Sequence, residues 1–374
     1  MDNECFSVSA LPDTTNTEAV KAKPKTKPNK PNKPKAKAKE VVTSANDNAR
    51  PQGAFERSIF HQPWWLDITS DGRWGIAEVK QGDEVIGEMP YTLERKGIWR
   101  ISALPPMTRT LGPIIKPQKL GTPDREWCYR LDITRQLIAK LPPVAHFHQL
   151  MDTRMSEAEA FAFMIHGYDV SIGYTMEMPA ERTEEEAWSG LRRNTRNWVR
   201  RASEQLTIRE IDSPDGFTRF YDENLAVRKR NNVYGSQIMR RLLTEVLQRK
   251  SGTLLGAFDQ SGKLVAETAL VWDDRALYYL LSSRLPEAHG GAISLLIWEA
   301  ARVARERKLL FDLDGISTAS ILDFLSGFGG RLVTRYEIEK VRADFGALRT
   351  VLRGEKTATK TGAKRLRKMP VEKT

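Results

Sequence analysis

Two carboxylates stand one residue apart in Phe311-Asp-Leu-Asp-Gly315. If that run is a strand, the two-residue alternation puts Asp312 and Asp314 on one face and Phe311 and Leu313 on the other. Paired carboxylates at the carboxyl end of a strand suit a general base or an amine-binding group. A second role is open to Asp314, as a helix cap ahead of Ser317. Glu267 lies inside an otherwise apolar strand, where it either acts on a substrate or makes a structural hydrogen bond to a neighbouring strand. The next strand, Ala276–Ser283, carries Tyr278, Tyr279 and Ser282 but no acid, so Tyr279 joins the carboxylates as a catalytic candidate.

Cationic and aromatic candidates are spread more widely. Arg192, Arg196 and Arg200 recur every four residues on one face of a helix, which reads either as an anion-binding wall or as a solvated face paired with acids. Arg109 sits in a loop bounded by Pro105 and Pro113, where it could meet an anionic substrate group. Trp64 and Trp65 follow Pro63 and would line a cleft or enter the core. His289-Gly290-Gly291-Ala292 leads into a helix, and the glycines fit a tight strand-to-helix turn or a close backbone approach to phosphate. Cys5 and Cys128 are the two cysteines, and no disulfide framework or zinc spacing can be built from them.

The elements that position these residues come as an internal repeat. Glu84 to Ser102 and Lys263 to Ser282 each read as strand, charged turn, strand, and each follows an earlier strand and a Gly-containing hairpin. Helical apolar spacing over Asp124–Leu141 and Ala292–Lys308 then feeds short strands at Val144–Leu150 and Leu309–Leu313. A short helix reaches Gly167 in one half and Gly329 in the other, and Tyr174-Thr-Met-Glu matches Tyr336-Glu-Ile-Glu. Both halves therefore run three antiparallel strands, helix, strand, helix, strand. Thr183–Arg230, between them, reads as helices separated by a strand at Leu206–Ile211.

Composition limits the partners. Of a net charge of +11, residues 21–39 supply nine lysines without an acid, and Arg353–Thr374 holds eight basic residues against Glu355 and Glu372, leaving the rest mildly acidic. The Lys/Pro alternation cannot bury enough surface to offset chain entropy and predicts a disordered tail over residues 1–55, with a second basic tail over 346–374. Such tails are expected to aid solubility or to contact anionic membrane or nucleic acid weakly. Without an apolar run of membrane-spanning length or a leader pattern, a soluble cytoplasmic protein is expected.

In this order, the elements resemble the GNAT acyltransferases, and more closely their two-lobed branch with the Fem-type aminoacyltransferases. The resemblance spans about residues 58–342. It is carried by His61-Gln-Pro-Trp-Trp-Leu-Asp67, Pro105-Pro-Met-Thr-Arg-Thr-Leu-Gly-Pro113, Leu191 to Ala202, His289-Gly-Gly-Ala with Trp298-Glu299, Phe311 to Gly315, and Phe328-Gly-Gly330. It implies a tandem α/β fold with lobes at 56–180 and 181–345, the second holding the active cleft. The implied reaction moves an acyl (acetyl) or aminoacyl group onto an amine of an anionic acceptor, in cell-envelope or polysaccharide biosynthesis.

The co-substrate implied is acyl-CoA, without a metal. Its diphosphate would be bound by His289, Gly290, Gly291 and Ala292, although Glu287 stands where the family has Arg or Gln. Trp64, Trp65, Arg109, Arg192 and Arg196 would meet the acceptor, a small molecule or a lipid- or nucleotide-linked amine. Nothing in Ser203–Ser251 is periodic for long enough to form the coiled-coil arm of Fem-type tRNA users, which favours a small thioester donor. The rival readings are a non-catalytic protein that keeps the two-lobed shape, and a nucleic-acid-associated protein acting through its tails.

Overall fold

The fold is that of a computed structural model, which describes residues 55–118 and 120–347. Most of both basic tails therefore lies outside the described residues. A 3₁₀ turn at Ile59–His61 leads into α1 (Pro63–Thr69), which has proline in its first turn, where no amide donor is needed. The first half continues with β1 (Trp74–Gln81), β2 (Glu84–Thr92), β3 (Glu94–Lys96), β4 (Trp99–Ser102), β5 (Ile114–Ile115), α2 (Pro123–Ala139), β6 (His146–Leu150), α3 (Glu157–Ile165) and β7 (Asp169–Met178). Then come α4 (Glu184–Gly190), α5 (Arg193–Ser203), β8 (Thr207–Glu210), α6 (Pro214–Val227) and α7 (Ser236–Gln248). The second half closes with β9 (Gly252–Phe258), β10 (Leu264–Trp272), β11 (Ala276–Arg284), α8 (Ala292–Glu306), β12 (Leu310–Asp312), α9 (Ala319–Ser326) and β13 (Arg331–Val341).

The repeat predicted from the sequence is present, with two differences. In the first half the long strand breaks at Leu93. β1, β2 and β5 form a small separate sheet, while the β3–β4 hairpin joins the main one. The second difference is an exchange of closing strands. The main sheet runs β3-β4-β6-β13-β7-β12-β11-β10-β9-β8. Thus β13, which ends the second half, pairs with β6 of the first, and β7, which ends the first half, pairs with β12 of the second. The two exchanged strands pair with each other from Arg331↔Glu177 to Glu339↔Asp169, and this ladder welds the lobes.

Two apolar layers sandwich the second lobe's sheet. On one face α8 buries Leu295, Leu296, Ile297 and Ala301 against Leu270, Leu277 and Phe311, with Val199 and Ala202 of α5 alongside. On the other, Met239, Leu242 and Val246 of α7 and Phe217 of α6 cover Ala269, Val271 and Tyr278. Burial of one such side chain contributes roughly 1.5–3 kcal/mol, and together these contacts fix the strands that carry the site. Although α1 opens the first half in sequence, Phe60 and Trp65 pack into this second layer, with Phe60 edge-on to Tyr278 at 4.8 Å between centroids. The first lobe keeps its own core around Met89, Ile133, Leu137, Phe147 and Phe163.

Candidate functional site

β11 and β12 run parallel for three residue pairs, the last being Tyr278↔Asp312. β12 then ends, while β11 continues to Arg284, so the two part and leave a notch in the sheet. The strand that was predicted to carry both carboxylates carries one. Asp314 lies past its end with φ of 42°, in the left-handed region that costs a side-chain-bearing residue free energy, and Gly315 follows at 69°. Asp312 Oδ1 accepts the Asp314 amide at 2.9 Å and the Thr175 hydroxyl from β7. The carboxylates meet through this turn rather than through strand alternation. The cap of α9 is Thr318, whose side chain accepts from the Ile321 amide.

Two arginines hold Asp314. Arg109 Nε lies 3.0 Å from Oδ2 and Arg335 Nη2 lies 2.6 Å from Oδ1, with Asp314 and Arg335 buried and Arg109 one-fifth exposed. These are charge contacts rather than well-aligned hydrogen bonds, since Arg109 Nε and Asp314 Oδ1 have no aligned partner among the described residues. The result separates the pair electrostatically. Burial, and next the Asp314 charge, push the Asp312 carboxyl up to about 7. Burial would raise Asp314 too, but Arg109 and Arg335 outweigh it and hold Asp314 below its ordinary value. One carboxylate is thus poised near neutrality beside one that stays charged, an arrangement suited to dividing roles between two acids.

The loop bearing Arg109 is fixed at three points. The Trp65 indole N–H donates to Thr108 Oγ1 at 3.0 Å, the Leu111 amide donates to the Leu150 carbonyl at 2.9 Å, and Arg109 itself reaches Asp314. Trp65 is fully buried, so it acts on the site through this loop. Trp64 is half-buried, with the Arg249 guanidinium 4.9 Å above its ring. On the other side of the loop is a cavity of about 220 Å³ lined by His61, Gly112, Met151, Asp152, Arg154 and Arg130 among others. Its charges are matched internally: Arg154 lies 2.8 Å from Asp152, and Arg130 pairs with Glu159. Burial lowers His61 to about 4, so its ring is neutral at pH 7.

Glu267 is fully buried, and neither carboxyl oxygen has a hydrogen-bond partner among the described residues. Burial alone pushes it up to about 10, which makes it a neutral acid at pH 7. Its cross-strand neighbours are Gly256 and Ser283, and Ser283 Oγ receives the Asn224 amide from α6. Tyr279 donates to Ser282 Oγ, and burial raises its phenol to about 12, against the opposing effects of Ser282 and Arg109.

The glycine turn is closed by the chain itself. A Cβ on Gly291 would sit 2.5 Å from the Trp198 carbonyl oxygen, and one on Gly290 would sit 3.0 Å from the Trp198 ring. The Gly291 amide already donates to His289 Nδ1 at 3.1 Å, and the Ala292 amide donates to the His289 carbonyl at 2.9 Å. Close packing of α5 therefore accounts for the two glycines, and two of the amides expected to bind phosphate are engaged. Glu287 is exposed and pairs with Lys263 at 3.2 Å. Arg192 is turned to Asp323 at 2.7 Å and to Ser326, while Arg196 donates to the Ser189 carbonyl at 2.9 Å. Both stitch α5 to its neighbours rather than facing the notch.

Arg335, Thr175, Tyr234, Tyr221 and Asn224 were missed by sequence reasoning. Tyr234 lies beside Arg109, and Tyr221 lies near Tyr234, Arg109 and Glu267. The repeat offered a signal for two of them, since Thr175 is the second residue of the Tyr174 motif and Arg335 directly precedes the paired Tyr336. No comparable pattern marked Tyr221 or Asn224.

Residues 189–318 match the family model described as "Acetyltransferase (GNAT) domain". No curated protein matches the chain significantly. Among solved structures, FemX superposes with a TM-score of 0.59 at 11% identity, covering 79% of this chain and 94% of its own. L-PGS from Bacillus licheniformis gives 0.46 at 11% identity, with coverage of 76% and 89%, and a tandem GNAT protein of the clavulanic acid biosynthesis pathway gives 0.44 at 12%, with 74% and 93%. No helix among the described residues is long and apolar enough to cross a membrane, and no cluster of metal-ligating side chains occurs among them. The chain thus has a two-lobed, FemX-like α/β fold in which residues 189–318 are similar to a GNAT acetyltransferase domain.

Proposed function

We propose that this chain transfers an acyl or aminoacyl group from an activated donor onto an amine at the notch between β11 and β12. The observation that carries the reading is the divided carboxylate pair: Asp312 raised to about 7 beside Asp314 held ionised by two arginines. The attacking amine must lose a proton, and a base poised near the working pH serves best. In the proposed step the amine nitrogen bonds to the acyl carbon, the bond from that carbon to the leaving sulfur or oxygen breaks, and Asp312 takes the amine proton. Tyr279, whose phenol stays protonated at neutral pH, supplies a proton to the leaving group. Arg109 and Asp314 hold the notch in shape, and Glu267, being neutral, is not the base.

The donor is proposed as a thioester or an aminoacyl ester, and no step is routed through the glycine turn, whose amides are engaged. An anionic acceptor used in cell-envelope or polysaccharide synthesis, and a division into lobes at 56–180 and 181–345, rest on the family resemblance. A second reading, a binding protein that has lost transfer chemistry, is favoured by that closed turn. Isothermal titration of the full chain with acetyl-CoA and with aminoacyl-tRNA separates the two. Saturable binding of one donor supports transfer, and binding of neither, well above the affinities usual for enzymes, sinks it.

A further inference from the structure

The loop between α6 and α7 carries an unusual combination on one short stretch. Val227 and Val233 are 66% and 83% exposed, and between them stand Arg228, Lys229 and Arg230, all exposed. Lys229 and Arg230 have no carboxylate partner among the described residues. Two protruding β-branched side chains gain nothing in water, and clustered cations without acids repel one another. Both become favourable when the loop meets a surface with anionic headgroups over an apolar interior.

The position of this loop is not arbitrary. Arg228 Nη2 donates to the Arg284 carbonyl at 2.6 Å at the end of β11, and Arg284 reaches the Ala288 carbonyl at 3.0 Å. Next to Ala288, His289 stands edge-on to Trp198 of α5 at 5.9 Å; that indole is 46% exposed. These contacts make one continuous rim. The residue after Val233 is Tyr234, which lies beside Arg109, so the rim borders the notch.

We propose that this rim docks on an anionic lipid bilayer. The valine tips enter the headgroup boundary, and Lys229 and Arg230 pair with lipid phosphates. The test reads binding and not transfer, so its failure leaves the acyl-transfer reading standing. The full chain, tails included, is floated with phosphatidylcholine vesicles with and without phosphatidylglycerol, at one fixed salt concentration. The wild type is expected to bind the anionic vesicles selectively. K229Q/R230Q is expected to lose on the order of 25-fold in partitioning at roughly fivefold per cation, and V227S/V233S on the order of tenfold from lost apolar burial.

These side chains are exposed, so both variants should melt as the wild type does. No vesicle binding by the wild type would overturn the proposal, as would unchanged binding by both variants, which would assign the affinity to the basic tails. So would loss of single-stranded DNA binding by K229Q/R230Q with vesicle binding intact, since the loop would then serve a nucleic acid.

Discussion

Replacing Glu267 by glutamine should remove a pH-dependent burden on stability. A carboxyl with an ordinary value of 4.5 stands at about 10 in the fold, because it is buried without a partner. Below about 4.5 it is protonated whether the chain is folded or not and has no effect. Above that value the unfolded chain releases the proton and the folded chain does not, so stability falls as pH rises until the folded group also ionises near 10. At about 1.4 kcal/mol per pH unit the burden reaches roughly 3 kcal/mol at pH 7. The amide of the variant is neutral in both states. Urea unfolding of the wild type and Glu267→Gln should therefore give stabilities whose difference grows, in favour of the variant, by roughly 4 kcal/mol between pH 5 and 8. The comparison cancels every other titrating group. Parallel profiles across that range would refute the reasoning and require an unseen partner that lets Glu267 ionise.

Three further outcomes follow from the geometry. Trp65→Phe keeps the buried ring but deletes the donor to Thr108, and should cost about 1–2 kcal/mol in chemical unfolding. It should also slow transfer more than it weakens donor binding, since it loosens the loop bearing Arg109. Gly291→Ala drives a methyl group toward the Trp198 carbonyl and the Ala202 side chain and should destabilise by about 1–3 kcal/mol. Retention of full stability would mean that α5 does not pack as described. Arg335→Met strips Asp314 of one of its two cations in a buried setting and should cost about 3–5 kcal/mol. Wild-type stability together with unchanged pH dependence of transfer would show that Arg109 alone holds the carboxylate.

Much of this architecture was legible because each element buries a recognisable face. Ala292–Lys308 kept helical spacing since α8 packs along one side of the sheet, and β9, β10 and β11 were largely apolar because both their faces are covered. The exchange of β7 and β13 was not legible, as strands of equal pattern fit either sheet edge, and sequence order does not say which is used. The carboxylates at 312 and 314 were visible by spacing. Their division was not, since it depends on Arg109 and Arg335, which reach the turn from a loop and a strand far away in sequence. The arginine stripe left two readings open for a similar reason: Arg192 and Arg196 find partners on α9 and α4 that periodicity cannot reveal. The glycine pair looked like a phosphate cradle because a close approach by Trp198 leaves the same mark on the sequence.

The central claim is that Asp312 is the base, and the pH dependence of acyl transfer tests it most directly. Transfer from acetyl-CoA or an aminoacyl-tRNA to a panel of amines should rise with pH through an apparent value of about 7 in the wild type. Asp312→Asn should lose that limb and about 10²–10⁴-fold in rate while still binding donor. A variant that keeps both the rate and the limb, or a wild type that transfers from neither donor at any pH, would contradict the account.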